Sequence, residues 1–204
     1  MWPLYRDLSK RGYCGGLKGE MEPINLVLCG LGGQGILFMT RILAEAALGK
    51  GFQVIGAETH GMAQRGGSVI SHLKIGKANS SLVRAGAAHV LLGMDEKETY
   101  RNLAFVRPGG KIYVNAPSGG FPVKKAKDFM DQKGIIYRAM AVGEIAMELG
   151  APRATNLGLL GLFGAFENEP LGEKDLRETI ERISPERFRD LNIQVFETCM
   201  KRAL

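Results

Sequence analysis

From Pro23 onward the chain alternates between two hydrophobic periods. Ile24 to Cys29 is a short, largely apolar run bounded by Gly30, as in a short strand, and Ile36 to Leu48 then sets Ile36, Met39, Leu43 and Ala46 on one face of a helix. This is a strand, a glycine turn and a helix. Phe52 to Ala57 predicts a second strand. Ser68 to Ile75 places Val69, Leu73 and Ile75 on one side and Ser68, His72 and Lys74 on the other, the period of two expected of a strand. His89 to Gly93 predicts another buried strand, Asp95 to Phe105 a helix, and Lys111 to Asn115 a strand after a Pro108-Gly109-Gly110 turn. The C-terminal third reads as helical. One helix covers Asn156 to Phe166, where Gly158, Gly161 and Gly164 recur at every third position, leaving a groove for another backbone and a face expected to take a partner's helix or strand. A second covers Glu173 to Ile183, and Ser184-Pro185 caps the start of a third. Alternation of this kind predicts a Rossmann-like, doubly wound α/β domain, with a mostly parallel sheet and a helical C-terminal part.

Residues 1–20 show no hydrophobic period and end in Gly15-Gly16-Leu17-Lys18-Gly19-Glu20, so they form an N-terminal extension outside a domain of residues 21–204. Met21 is an alternative start, and residues 1–20 would then be a mis-assigned beginning. A length of 204 residues, 45% hydrophobic and 24% charged, is that of one globular domain. The net charge of +6 comes from basic residues interleaved with acidic ones, as in Glu173-Lys174-Asp175. Phosphate backbones require cations gathered on one side, so no nucleic-acid partner is expected. The most apolar stretch, Leu157 to Phe166, is far shorter than the ~20 residues of a membrane-spanning helix, so no membrane partner is expected either. Cys14, Cys29 and Cys199 are too widely spaced to hold a zinc ion or an iron-sulfur cluster by themselves, and isolated cysteines fit a reducing, cytoplasmic compartment.

Two glycine-rich segments could carry chemistry. Gly30-Leu31-Gly32-Gly33-Gln34-Gly35 fits GxGxxG between a strand and a helix, where backbone amides can meet a phosphate, and Glu58 stands where an acid would bind a ribose. The other reading is a tight turn that packs helix on strand. Gln34 is large for the inside of a nucleotide-binding turn, and Glu58 is followed by a long polar loop with a pattern of its own. In that loop, Thr59 to Ser68, glycines flank His60, Gln64 and Arg65, with Gly66 and Gly67 directly after. Arg65 could clamp a carboxylate or phosphate with its planar fork, or simply pair with a neighbouring acid.

The ordered pair Gly30-Leu31-Gly32-Gly33-Gln34-Gly35-Ile36 and Gly61-Met62-Ala63-Gln64-Arg65-Gly66-Gly67-Ser68-Val69 resembles the gamma domain of the 2-oxoacid:ferredoxin oxidoreductases. Within that family it is most like the small (beta) subunit of the indolepyruvate enzymes. The resemblance runs through Leu91-Leu92-Gly93-Met94-Asp95, Glu98, Arg101, Pro108-Gly109-Gly110, Asn115 and Asn156 to the helix of Asn192, with Asp95 where a glutamate is commoner. It implies one subunit of a thiamine-diphosphate enzyme that oxidatively decarboxylates an aryl or other 2-oxoacid to an acyl-CoA and passes electrons to ferredoxin. Thiamine diphosphate, Mg²⁺ and iron-sulfur clusters are then expected in a companion subunit, coenzyme A is the co-substrate, and this chain alone carries no catalytic residue and no metal. Both glycine loops are expected near the cofactor cleft or the coenzyme A path, which makes Gly30, Gly32, Gly33, Gln34, Gly35, His60, Gln64, Arg65, Gly66 and Gly67 the candidate binding residues. The rivals are a stand-alone NAD(P)-binding Rossmann protein and a structural partner without a ligand. His72, His89, Cys29 and Cys199 read as structural.

Overall fold

The computed structural model describes residues 22–60, 66–117 and 120–204, with Thr59 and His60 described in their backbone only. The proposed extension and the alternative start at Met21 lie outside these residues. Six strands form one sheet: β1 (Ile24–Leu31), β2 (Val54–His60), β3 (Ser68–Ile75), β4 (Ala88–Gly93), β5 (Val106–Asn115) and β6 (Ile136–Met140). Their order is β2-β3-β1-β4-β5-β6, and the β1-β4, β4-β5 and β5-β6 pairs are parallel. Strand β3 runs antiparallel to both β1 and β2, so it alone opposes the others. The expected doubly wound, mostly parallel sheet is therefore present, with one reversed strand wedged between β1 and β2.

The reversal follows from the connections. Strand β1 is joined to β2 through helix α1 (Ile36–Gly49), whereas only seven residues separate β2 from β3, too few for the crossover of about a dozen or more that a parallel pair needs. Helix α1 buries Ile36, Met39, Ile42, Leu43, Ala46 and Ala47 at the i, i+3, i+4 spacing of an amphipathic helix. It shares one core with α4 (Val142–Glu148), α5 (Thr155–Gly164), α6 (Glu173–Ile183) and α7 (Glu186–Ala203). The opposite sheet face, built on Val27, Cys29, Leu91, Ile112 and Val114, is covered by α2 (Glu96–Arg101), the 3-10 turn after it and α3 (Lys124–Gln132). Asp95 caps α2 by accepting the Glu98 N–H at 3.0 Å, which fixes where that helix starts.

Three expectations are corrected. The Pro108-Gly109-Gly110 segment is a bulge inside β5, where the register against β4 slips between Ala88 and Val90, and not a turn ahead of the strand. The C-terminal third opens with a strand, β6, before its helices begin. The groove along Gly158, Gly161 and Gly164 is filled by the chain's own helices: a Cβ at Gly161 would lie 2.3 Å from the Phe196 carbonyl oxygen, and one at Gly158 2.9 Å from Cys199 Sγ. The glycines let α7 press against α5 at backbone distance, so this face is internal packing and offers nothing to a partner.

Candidate functional site at the carboxyl end of the sheet

Strands β1 and β4 lie side by side, yet α1 leaves β1 toward one face and α2 leaves β4 toward the other. A crevice opens beyond the carboxyl ends of adjacent strands whose helices diverge in this way, and open α/β sheets place ligands there. The Leu31–Gly35 turn, the Gly93–Asp95 turn, the end of β5 and the start of α5 all converge on it.

The antiparallel β3 brings the two glycine segments together. Its register pairs Leu31 with Ser68, and the ladder continues one step further: the Gly32 N–H donates to the Gly67 carbonyl at 2.8 Å, and the Gly66 N–H to the Gly32 carbonyl at 3.3 Å. The Gly66-Gly67-Ser68 end of the second segment is thereby tied to the first turn. The backbone of His60 ends β2 opposite Val69, while Gln64 and Arg65 lie outside the described residues.

Gln34 closes the first turn on itself. Its Oε1 accepts the Leu31 N–H at 2.7 Å and sits 2.6 Å from where a Cβ on Gly30 would be, so Gly30 cannot carry a side chain. Gly35, at φ 80°, leads into α1, and its carbonyl accepts from Asn156 Nδ2 at 3.2 Å as well as from the Met39 N–H. Asn115 braces the other side, donating to the Met94 carbonyl at 3.2 Å and accepting the Gly143 N–H at 3.1 Å. Glu98 is buried, 1% exposed; it accepts the Ser68 hydroxyl at 2.6 Å and pairs with Arg101. The loop after β2 is thus linked to α2 through one carboxylate. Gln34, Asn115 and Asn156 hold backbone groups in place, and Glu98 holds a side chain of the loop. The result is a braced platform of backbone and glycine.

Cys29 at the end of β1 is fully buried, and burial pushes its thiol up to about 12, so it stays a protonated, unreactive packing group. His72 accepts the Val83 N–H at 3.4 Å and packs edge-on against Phe105, and His89 accepts the Asn25 N–H at 3.0 Å. Burial lowers both imidazoles and favours their neutral forms, as suits acceptors. Glu58 is exposed on β2, two strands away from β1, which removes it from the ribose position a dinucleotide domain would give it. Among the described residues no three His, Cys, Asp or Glu side chains are grouped to hold a metal ion. The link from Ser68 to Glu98 has no sequence signal beyond the family resemblance, because 30 residues separate the partners.

Residues 25–202 match the family model described as pyruvate ferredoxin/flavodoxin oxidoreductase. The indolepyruvate oxidoreductase subunit IorB of Thermococcus kodakarensis is 33% identical over 196 residues, a match covering 90% of this chain and 97% of that protein. The ketoisovalerate oxidoreductase subunit VorA of Methanothermobacter thermautotrophicus is 28% identical over 87% of this chain, but only 36% of its own length is matched. Among solved structures, the gamma subunit of a keto/oxoacid ferredoxin oxidoreductase from Geobacter sulfurreducens superposes with a TM-score of 0.67 at 22% identity, covering 88% of this chain and 98% of that one. The 2-oxoglutarate:ferredoxin oxidoreductase of Magnetococcus marinus, solved with 2-oxoglutarate, coenzyme A and succinyl-CoA bound, superposes at 0.72 and 19% identity over 90% of this chain and 31% of its own. A family match spanning nearly the whole chain, over a fold shared with these structures, places the chain in the pyruvate ferredoxin/flavodoxin oxidoreductase family.

Proposed function

We propose that the chain is the small, gamma-type subunit of an indolepyruvate-type 2-oxoacid:ferredoxin oxidoreductase, active only when joined to a larger companion. The observation that carries this reading is the match to IorB, a protein named as a subunit, along 97% of its length. The companion would hold thiamine diphosphate, Mg²⁺ and the iron-sulfur clusters. The residues of this chain do not fit the Mg²⁺-diphosphate group: at the crevice, Asp95 is committed to capping α2, and Glu98 is buried against Ser68 and Arg101. When bound in the companion, thiamine diphosphate supplies the electron sink for decarboxylation. The role left to this chain is to wall the cleft. The two joined glycine segments wall the cleft with backbone free of side-chain bulk, and Arg65, next to Gly66 in the sequence, would grip a carboxylate or phosphate of the 2-oxoacid or of coenzyme A.

The test is reconstitution. The chain coexpressed with its companion should reduce a viologen dye in the presence of an aryl 2-oxoacid and coenzyme A, and the chain alone should not. In the same complex Arg65→Lys keeps the charge but loses the fork, so turnover should fall at least about tenfold while assembly persists. Full turnover by the isolated chain would refute the subunit reading, and wild-type kinetics for Arg65→Lys would remove that residue from the cleft.

A further inference from the structure

A pocket of about 150 Å³ opens at the amino end of the sheet, the end away from the crevice. Ile24 and Leu26 at the start of β1, Ile75 at the end of the antiparallel β3, Val90 on β4, Phe163 on α5 and Leu171 after it form the apolar lining. A cavity of about this volume lined by such side chains takes one benzene ring. The mouth is polar and carries both signs of charge, since Arg107 on β5 and Glu169 in the segment between α5 and α6 line it together with His89, and both charged residues are exposed. Among the described residues neither Arg107 nor Glu169 has an opposite charge within salt-bridge distance, each other included. The other charges of the pocket are already matched: Lys111 and Glu167 pair at 2.7 Å, and Glu167 also accepts from the Tyr113 hydroxyl. His89 takes the Asn25 N–H on Nδ1, which leaves its neutral ring a donor at Nε2. Glu22 is near His89 but does not line the pocket. One open cation, one open carboxylate and an apolar space the size of a ring therefore meet at one place.

A zwitterion with an apolar body matches all three. We propose that the pocket binds a free α-amino acid with an aromatic side chain, its carboxylate on the Arg107 fork, its ammonium on Glu169 and its ring on the apolar lining beside Phe163. A simple anion sets a like charge beside Glu169, and an uncharged apolar ligand uses neither charge. A nucleotide needs several times this volume. The eight residues of β1 span about 25 Å, so the pocket and the crevice are separate places and a bound amino acid does not touch the cleft. The site goes beyond the subunit reading and does not depend on it.

Equilibrium dialysis of labelled L-phenylalanine against the full chain tests the site. Phenylpyruvate serves as a competitor, because it keeps the ring and the carboxylate but has a keto oxygen in place of the ammonium. L-phenylalanine should bind saturably, one per chain, with a dissociation constant below about 1 mM, and phenylpyruvate should displace it at least about tenfold less well than unlabelled L-phenylalanine. Arg107→Gln should weaken binding of the amino acid at least about tenfold, and Glu169→Gln should do the same while erasing its advantage over phenylpyruvate. Both side chains are exposed and unpaired, so the Tm of each variant should equal that of wild type, and Arg187→Gln, which does not line the pocket, should leave the affinity unchanged. No saturable binding by the wild-type chain up to about 10 mM overturns the site, as does equal affinity for wild type and Arg107→Gln or equal weakening by Arg187→Gln. Phenylpyruvate competing as well as L-phenylalanine, or an affinity that Glu169→Gln leaves unchanged, overturns the amino-acid assignment. Each of these results leaves the subunit reading to the reconstitution, so the two fail separately.

Discussion

Gly35 shows how one residue couples the glycine turn to the rest of the crevice. Its φ of 80° is left-handed, which costs an L-residue about 1–2 kcal/mol, and a Cβ there would meet Asn156 Nδ2 at 2.6 Å. The clashing atom ends a side chain that can swing away, but swinging away breaks its bond to the Gly35 carbonyl, worth about 1 kcal/mol. Gly35→Ala should therefore destabilise the chain by about 2–3 kcal/mol, and in an Asn156→Ala background by only the conformational share, leaving a coupling of about 1 kcal/mol. Urea unfolding of the four proteins of this cycle measures it, and strict additivity would show that Asn156 does not brace the turn. Glu98 obeys a different balance. Its partner Arg101 is 69% exposed and can be hydrated, so what the carboxylate chiefly secures is Ser68, and with it the end of the loop that carries Arg65.

Among elements, the stripe of Gly158, Gly161 and Gly164 marks the difference between what spacing reveals and what it leaves open. The period says that a backbone comes close, and α7 does. It cannot say whose backbone, because an internal helix and a partner's helix impose the same demand. The first strand–turn–helix unit was legible because its signals are local: an apolar run, a glycine turn and an amphipathic helix in immediate succession. The crossing of β3 between β1 and β2 was not, since the alternation of Val69, Leu73 and Ile75 defines a strand but not its neighbours. Helix α3 and strand β6 were missed for a related reason: α3 buries two residues and β6 is largely exposed, so neither carries a strong period. The stripe makes a prediction with two signs. Gly161→Ala would put a Cβ 2.3 Å from the Phe196 carbonyl oxygen and force α5 and α7 apart, costing about 3 kcal/mol or more. That corresponds to a drop of about 6–12 °C in Tm for a chain of this size. At Gly164 the nearest atoms, on Leu176 and Phe196, are 3.4 and 3.5 Å away, and alanine gains up to about 1 kcal/mol in helix propensity, so Gly164→Ala should be neutral or stabilising. Calorimetric scans of both variants decide the matter, and equal destabilisation would mean that α7 does not approach α5 through Gly161.

For the molecule as a whole, topology decides between the subunit and a stand-alone dinucleotide-binding protein. In a dinucleotide domain β2 lies next to β1, so that the acid ending β2 reaches the ribose of a cofactor whose pyrophosphate sits on the glycine turn. Here β3 separates them, and with strands about 4.8 Å apart β2 stands about 10 Å from β1. Glu58 pairs across β3 with Ser71, and Ser71 with Leu28, which leaves Glu58 two strands to the side of the turn and several residues below it. The turn is also occupied from within: Gln34 Oε1 already takes the Leu31 N–H, and Gly32 exchanges both of its backbone hydrogen bonds with Gly66 and Gly67. A pyrophosphate would have to displace contacts that hold the two loops together. The isolated chain should accordingly give no saturable heat with NAD(H) or NADP(H) in calorimetry, and no rise in Tm where a micromolar ligand in hundredfold excess would add about 2.7 kcal/mol. Micromolar NAD(H) binding abolished by Glu58→Ala would show that the cofactor reaches across β3, and would return the glycine turn to a dinucleotide role.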